Sequence, residues 1–224
     1  MFCYQCEQSA QGKGCTRFGN CGKDPRVANM QDLLVHVCKG IAMYGHRARR
    51  FDVRDAEIDR FLLEALFTTV TNVNFDVERI AADVRRGAAL KTKARALYEN
   101  AAREADESPE ALTGPAAWEP PTDASDLKNE AETIGIESRL QTLGADVAGL
   151  QELLTYGLKG TAAYADHAMI LGHEDEDVYA FFHEALDYLV RTDVSADDLL
   201  AICLRCGEVN LKVMGLLDAA HTGA

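Results

Sequence analysis

Four cysteines near the amino terminus are the residues whose type and spacing most clearly indicate chemistry. They follow the pattern Cys-x2-Cys-x8-Cys-x5-Cys and are Cys3, Cys6, Cys15 and Cys21. Glycines between and beside them indicate a loop that can bring backbone N–H groups close to a bound group; these are Gly12, Gly14, Gly19 and Gly22. Four thiolates on one loop are typical of either a cubane iron–sulfur cluster or a tetrahedral zinc ion.

The spacing favours an iron–sulfur cluster over zinc. A structural zinc site is commonly built from two Cys-x2-Cys-like pairs, and only Cys3 and Cys6 have that spacing here. The loop has few apolar groups to bury, so we expect it to be disordered without metal. Nearby basic side chains would stabilise a negatively charged cluster, although a solvated surface set explains them equally well. They are Lys13, Arg17, Lys23 and Arg26.

The remaining cysteines are interpreted as core residues. Cys38 lies on the apolar stripe of a predicted helix. Cys203 and Cys206 lie on one face of a second predicted helix. They could therefore form a redox pair or half of a metal site instead. The strand–loop–helix context of a thioredoxin-type motif is missing around them. Small side chains in a helical core are therefore the preferred interpretation.

The six histidines do not form a spaced set of metal ligands. Asp166-His167 and the acidic run 173–177 (HEDED) could bind a cation, but a solvated helix start is the preferred interpretation because acidic residues there suit the helix dipole. The sequence contains no Gly-rich phosphate loop and no visible Ser/His/Asp arrangement.

Composition and charge restrict the class of protein. The chain has 224 residues, of which 47% are hydrophobic and 26% charged, as in a soluble globular protein with a sizeable core. No apolar run is long enough to span a membrane, and the amino terminus does not resemble a secretory signal. Seven cysteines without an export signal favour metal ligation in a reducing compartment, which predicts a cytoplasmic protein. The net charge of −13 argues against nucleic acid or an anionic membrane as partner.

The chain contains an internal repeat on either side of a proline-rich segment. Residues 28–66 align without a gap on residues 148–186, with 14 identities in 39 positions at an offset of 120. Tyr44 and Tyr164 are among these identities, which suggests equivalent packing roles. Four of the five prolines lie between the copies, within residues 109–121, and we expect Trp118 to hold this connection against a domain surface. The pattern predicts a duplicated supersecondary unit.

Each copy is predicted to consist of one long and two shorter helices. Helix starts are expected at Asp24-Pro25 and near Asp55 and Asp76. In the second copy they are expected near Ala145, Asp175 and Ser195. The predicted fold class is all-α: two three-helix bundles related by duplication, preceded by the cysteine-rich loop. The predicted domains are 1–105 (loop and first bundle), 106–144 (Pro-rich connection) and 145–224 (second bundle).

Several motifs resemble the hybrid-cluster protein family, also called prismane protein or hydroxylamine reductase. They are the opening MFCYQCEQSA, the third and fourth cysteines Cys15 and Cys21, the stretch 158–168 (LKGTAAYADHA) and the segment 206–210 (CGEVN). The resemblance runs over the whole chain. It implies that Cys3, Cys6, Cys15 and Cys21 bind one 4Fe–4S cluster, and that the parent protein reduces hydroxylamine to ammonia, or nitric oxide.

The resemblance also implies that the chain corresponds to the amino-terminal helical domain alone. In the family, later α/β domains hold a hybrid Fe–S–O cluster, and we expect neither these domains nor that cluster here. The chain is therefore predicted to carry electrons without substrate turnover, with the α/β domains and a small acidic electron-donor protein as partners. Residues 1–105 carry 17 Lys/Arg against 13 Asp/Glu, whereas residues 106–224 carry 6 against 23, so the donor should dock at the loop end. The alternative is a non-enzymatic helical docking domain with a structural metal.

Overall fold

The computed structural model describes residues 1–223, apart from the side chains of residues 124 and 125. Within this part the predicted all-α class is confirmed, because the regular structure consists of helices and a single isolated β-bridge. The helices are α1 (Pro25–Arg49), α2 (Ala56–Thr68), α3 (Val77–Glu104), α4 (Ala124–Thr133), α5 (Ile136–Leu143), α6 (Ala145–Ile170), α7 (Glu176–Tyr188) and α8 (Ala196–Thr222). Short 3-10 turns lie at Ala10–Gly12 and Gly114–Ala116.

The helices begin where the sequence predicts them to begin. The carboxylates of Asp24, Asp55, Asp76 and Asp175 accept hydrogen bonds from backbone N–H groups of the first turns of α1, α2, α3 and α7. Ser195 and Asp198 form a capping box at the start of α8. Each cap provides acceptors for N–H groups that have no partner within the helix.

The repeat appears in the positions of helices and of ion pairs. α1 and α2 begin 120 residues before α6 and α7, and α3 begins 119 residues before α8. Lys93 on α3 contacts the cap Asp55, and Lys212 on α8, again 119 residues later, contacts the cap Asp175. These equivalent contacts support the predicted duplication.

The two helical units are interleaved. α1 packs against α3 and α6 against α8, as expected within each unit, but α2 packs mainly against α6 and α7 mainly against α1. Buried residues from both units consequently form one hydrophobic cluster. The physical reason is that the short helices α2 and α7 bury their apolar faces against the other unit's long helix.

A buried ionic contact lies where these exchanged helices meet. Asp59 on α2 accepts hydrogen bonds from Arg49 Nη2 and from His183 Nε2 on α7, both at 2.8 Å. Burial lowers the pKa of His183 below its usual value, although the hydrogen bond to Asp59 opposes this shift. Gly45 on α1 leaves room for the imidazole, since a Cβ there would lie 2.3 Å from the ring of His183.

The segment between the units is more ordered than the sequence predicts. Residues 106–144 contain α4 and α5, which pack on α1 and α6 respectively, in addition to the proline-rich stretch. Trp118 lies edge-on to His36 of α1, and its Nε1 donates a hydrogen bond to Glu130 of α4 at 2.7 Å. It thus holds the connection against the helical core, as expected.

No helix within residues 1–223 is both long enough and apolar enough to cross a lipid bilayer.

Candidate metal centre

The amino-terminal loop is closed by a backbone pair between two of the predicted ligands. The N–H of Cys3 donates to the carbonyl of Cys15 at 3.0 Å, and the N–H of Cys15 donates to the carbonyl of Cys3 at 2.7 Å. Residues opposite each other in such an antiparallel pair direct their side chains to the same face. The first and third cysteines of the pattern are therefore adjacent, although 12 positions separate them in the chain.

Two glycines permit the tight path of the loop. Gly14 has a φ of +138°, and a Cβ there would lie 2.8 Å from the ring of Phe2. Gly22 has a φ of +93° and donates its N–H to the carbonyl of Gly19, which turns the chain directly after Cys21. An L side chain rarely adopts these conformations, so glycine is required at both positions.

Aromatic contacts fix the loop on α6. The rings of Phe2 and Tyr4 lie 5.1 Å apart, and the ring of Tyr4 meets Tyr156 of α6 edge-on at 5.4 Å. Burial, reinforced by the negative charge of Glu152, raises the pKa of Tyr4 to about 12. These contacts place the first two cysteines beside α6.

A buried lysine fixes the other end of the loop on α1. Lys23 is buried, and its Nζ donates to Gln31 Oε1 at 2.6 Å. The amide of Gln31 in turn donates to the carbonyl of Asn74, between α2 and α3, at 2.8 Å. Of the four basic residues near the cysteines, only Lys23 is buried; Lys13 and Arg17 are exposed, and Arg26 pairs with Asp24.

The four predicted ligands fit a metal cluster in type and in position on one loop, but the structure does not gather all four. Cys15 is buried and Cys3, Cys6 and Cys21 are half-buried. Within residues 1–223, no three His, Cys, Asp or Glu side chains lie at metal-binding spacing. The assignment of Cys3, Cys6, Cys15 and Cys21 as ligands therefore stays a prediction.

The other cysteines occupy the helical core, as interpreted from the sequence. Cys38 is fully buried, and burial raises its thiol pKa to about 12. Cys206 is buried against Gly157 of α6, and burial raises its pKa to about 11. Cys203 is half-buried, with its sulfur 3.7 Å from the carbonyl of Leu150. Thiols with raised pKa values are poor nucleophiles and poor metal ligands.

The acidic run 173–177 is a capped helix start with its own cationic partners. Glu174 pairs with Arg60 at 2.7 Å, while Asp175 and Asp177 both contact Lys212. These contacts agree with the solvated helix start that the sequence predicts.

The prediction of equivalent roles for Tyr44 and Tyr164 is wrong. Tyr44 is buried beneath the connection that follows α3, whereas Tyr164 is 42% exposed. The proline-rich segment covers the outer face of α1, and the equivalent position on α6 lies instead in an open groove beside α8.

Comparison with known proteins identifies the family. The chain matches the Prismane/CO dehydrogenase family over residues 1–224. The all-α structure with its cysteine-bearing amino-terminal loop thus belongs to the Prismane/CO dehydrogenase family.

Curated relatives carry the name hydroxylamine reductase. The protein from Rhodospirillum rubrum is 50% identical over 224 residues, which is all of this chain and 41% of the relative. Those from Burkholderia ambifaria and Geobacter metallireducens are 48% and 46% identical over 227 and 223 residues, or 41% and 40% of their lengths. The chain thus spans about two fifths of the length of these relatives.

Proposed function

We propose that this chain is the 4Fe–4S electron-transfer part of an oxidoreductase of the hydroxylamine reductase type. Cys3, Cys6, Cys15 and Cys21 would hold the cluster, which supplies one-electron redox chemistry when bound. The observation that supports the proposal is the backbone pairing of Cys3 with Cys15, because it brings together two candidate ligands that are distant in sequence. The family implies iron–sulfur clusters and supports this interpretation over zinc.

The chain's own residues have three roles in this proposal. Gly14 and Gly22 let the loop turn around the thiols, while Tyr4 and Tyr156 shield its inner side from water. Lys23 places a buried cation beneath the loop, where it would offset the negative charge of four thiolates and favour the reduced state. We also propose a reducing compartment such as the cytoplasm, because an odd number of cysteines, four of them candidate metal ligands, favours metal ligation over disulfides.

The electron donor proposed for this chain is a small acidic protein. Lys13 and Arg17 are exposed on the loop and have no ion-pair partner within the described residues. They would attract an acidic surface to the end of the molecule that carries the cysteines, whereas residues 106–224 would repel it. Reduction of hydroxylamine or nitric oxide is proposed for the longer protein type, in which further domains would bind the substrate.

Anaerobic reconstitution with iron and sulfide tests the proposal. We expect a brown protein with four irons per chain, whose broad visible absorbance is bleached by dithionite. A colourless protein that retains one zinc per chain under the same conditions would contradict the electron-transfer role and favour a structural metal. Mössbauer spectra of the iron-loaded chain would separate a 4Fe–4S cluster from a 2Fe–2S cluster.

A further inference from the structure

A cavity of about 330 Å³ lies between the long helices α1 and α6, and its lining residues include none of the candidate cysteine ligands. α5 and the turn after α7 complete its walls. Its volume is near the lower end of small-molecule pockets, roughly 300–1,000 Å³. Equivalent positions of the two repeat units line its opposite sides: Asp32 and Glu152, and Lys39 and Lys159, each 120 residues apart.

Two buried lysines make this cavity unusual. Lys39 is 8% exposed and Lys159 is 3% exposed. Within the described residues, neither ammonium has a hydrogen-bond or ion-pair partner; Lys159 Nζ lies only above the ring of Tyr156, at 5.9 Å from its centroid. Neither Nζ belongs to the fully enclosed, unpartnered atoms of the described residues, so both ammonium groups face the space of the cavity, where water or a negative ligand can contact them.

The carboxylates of the cavity do not neutralise both lysines. Glu152 accepts a hydrogen bond from Arg139 of α5, which also contacts Gln151 at 3.4 Å. Asp32 is the one remaining carboxylate on the walls and has no hydrogen-bond partner within the described residues. Arg191 also lines the walls but pairs with Asp193. With the other five groups ionised, three cations face two anions, and the paired Arg139 and Glu152 leave two lysines against one aspartate.

The pKa values of the unpaired groups shift towards their neutral forms. Burial lowers the pKa of Lys39 to about 7 and also lowers that of Lys159. Burial raises the pKa of Asp32 to about 7. A negative ligand would stabilise both ammonium groups in the charged form, and a protonated Asp32 could donate a hydrogen bond to it.

We propose that this cavity binds a small oxyanion carrying two negative charges, held between Lys39 and Lys159 with Arg139 as a third donor. The equivalent placement of the lysines suits a ligand with anionic oxygens on opposite sides. Sulfate, hydrogen phosphate and a short dicarboxylate such as succinate share this chemistry. The site rests on groups outside the cysteine loop, although Asp32 and Glu152 also line a small cleft with Cys3. The proposal does not depend on the proposed electron-transfer function, because its test measures anion binding and not redox activity.

Calorimetric titration of the chain with sodium sulfate, phosphate or succinate tests this proposal, with ionic strength held constant by sodium chloride. We expect one saturable site per chain for at least one of them. The test variants are Lys39→Met and Lys159→Met, and the matched control is Lys128→Met on the surface of α4. Loss of one charged hydrogen bond should weaken binding by roughly ten-fold or more in each test variant, with no change in the control.

Two outcomes would overturn the proposal. One is the absence of saturable binding for all three anions; the other is equal affinity in the wild type and both cavity variants. Preference for succinate over sulfate would assign the site to dicarboxylates, and the reverse to inorganic oxyanions. If a lysine variant fails to fold, a wild-type crystal soaked in selenate decides the matter: an anomalous peak between Lys39 and Lys159 supports the site, and its absence there rejects it.

Discussion

At the residue scale, chemistry in this protein depends on where a thiol lies. Cys15 lies in a loop fixed by the contacts of Tyr4 and Lys23, whereas Cys38 and Cys206 are surrounded by the helical core. Burial raises the thiol pKa of the core cysteines, which keeps them protonated and inert at neutral pH. The same residue type is therefore a candidate ligand in one place and a packing residue in the other.

Replacement of Cys15 by Ser tests the ligand assignment. The reconstituted Cys15→Ser variant should lose or degrade the cluster, and residues 1–22 should become susceptible to protease, while the far-UV circular dichroism stays helical. The matched control is Cys203→Ser, a half-buried cysteine outside the loop. An unchanged visible spectrum and iron content in Cys15→Ser would contradict the assignment.

The buried pair of His183 and Asp59 predicts a pH dependence of stability. The pKa of His183 is lowered in the folded state. As the pH falls below about 6.5, this histidine is therefore protonated in the unfolded chain while it stays neutral in the folded chain. The free energy of unfolding should therefore fall by roughly 1 kcal/mol from this residue between pH 7.5 and pH 5.5. Urea unfolding at both pH values measures it.

Two histidine variants separate the contribution of His183 from that of other titrating groups. His183→Gln should remove that part of the pH dependence, whereas the exposed His173 replaced by Gln should leave it unchanged. Parallel pH profiles for the wild type and His183→Gln would show that the imidazole is not held neutral by burial.

At the element scale, the sequence predicts helix starts well because each cap is a local interaction. Asp55, Asp175 and Ser195 contact backbone groups within three residues, so their roles can be predicted without knowledge of the fold. α4 and α5 could not be predicted in the same way, since neither has a side-chain cap and proline signals dominate the preceding segment.

Long-range packing could not be predicted from local sequence patterns either. The exchange of α2 and α7 between units brings Asp59 into contact with His183, although the two residues are 124 positions apart. The buried pair Lys39 and Lys159 belongs to the repeat and could have been singled out as a duplicated charge within an apolar helix face. For the metal centre, the sequence gives the four candidate ligands, but the pairing of Cys3 with Cys15 is visible only in the structure.

Asp175 provides a test of capping at the start of α7. Its carboxylate accepts from the N–H groups of Asp177 and Val178, and it also contacts Lys212. Asp175→Ala should lower the free energy of unfolding by about 1 kcal/mol because two N–H groups lose their acceptor. The control Asp177→Ala removes a contact with the same Lys212 but keeps the cap, so its effect should be within about 0.5 kcal/mol. Equal effects of the two substitutions in chemical denaturation would contradict the capping role.

At the scale of the whole molecule, charge is segregated along the chain. Residues 106–224 carry 23 acidic and only 6 basic residues, while the exposed basic side chains of Lys13 and Arg17 lie on the cysteine loop. An acidic donor should consequently reduce the reconstituted protein more slowly as salt is added, since screening weakens the attraction. Stopped-flow reduction should also be slower for the charge reversal Lys13→Glu/Arg17→Glu, and not for Lys128→Glu. Rates that do not fall with salt would reject this docking mode.

The last prediction concerns turnover by the chain of 224 residues. Reduction of hydroxylamine requires a place where the substrate nitrogen binds and receives electrons. A cluster whose irons were all held by the thiolates of Cys3, Cys6, Cys15 and Cys21 would pass electrons but would have no open position for substrate. We expect no second site among the other cysteines, because Cys38 and Cys206 are buried in the core and burial raises the pKa values of these two thiols and of the half-buried Cys203.

We therefore expect the reconstituted chain to be redox-active without forming ammonia from hydroxylamine. The assay uses reduced methyl viologen as donor, with a 4Fe–4S ferredoxin at equal iron concentration as the control. Ammonia formation above the ferredoxin rate would contradict the prediction. If such activity persists in Cys38→Ser and Cys206→Ser, it can be assigned to the amino-terminal loop. Loss of turnover in either variant would instead indicate a second metal centre among the core cysteines.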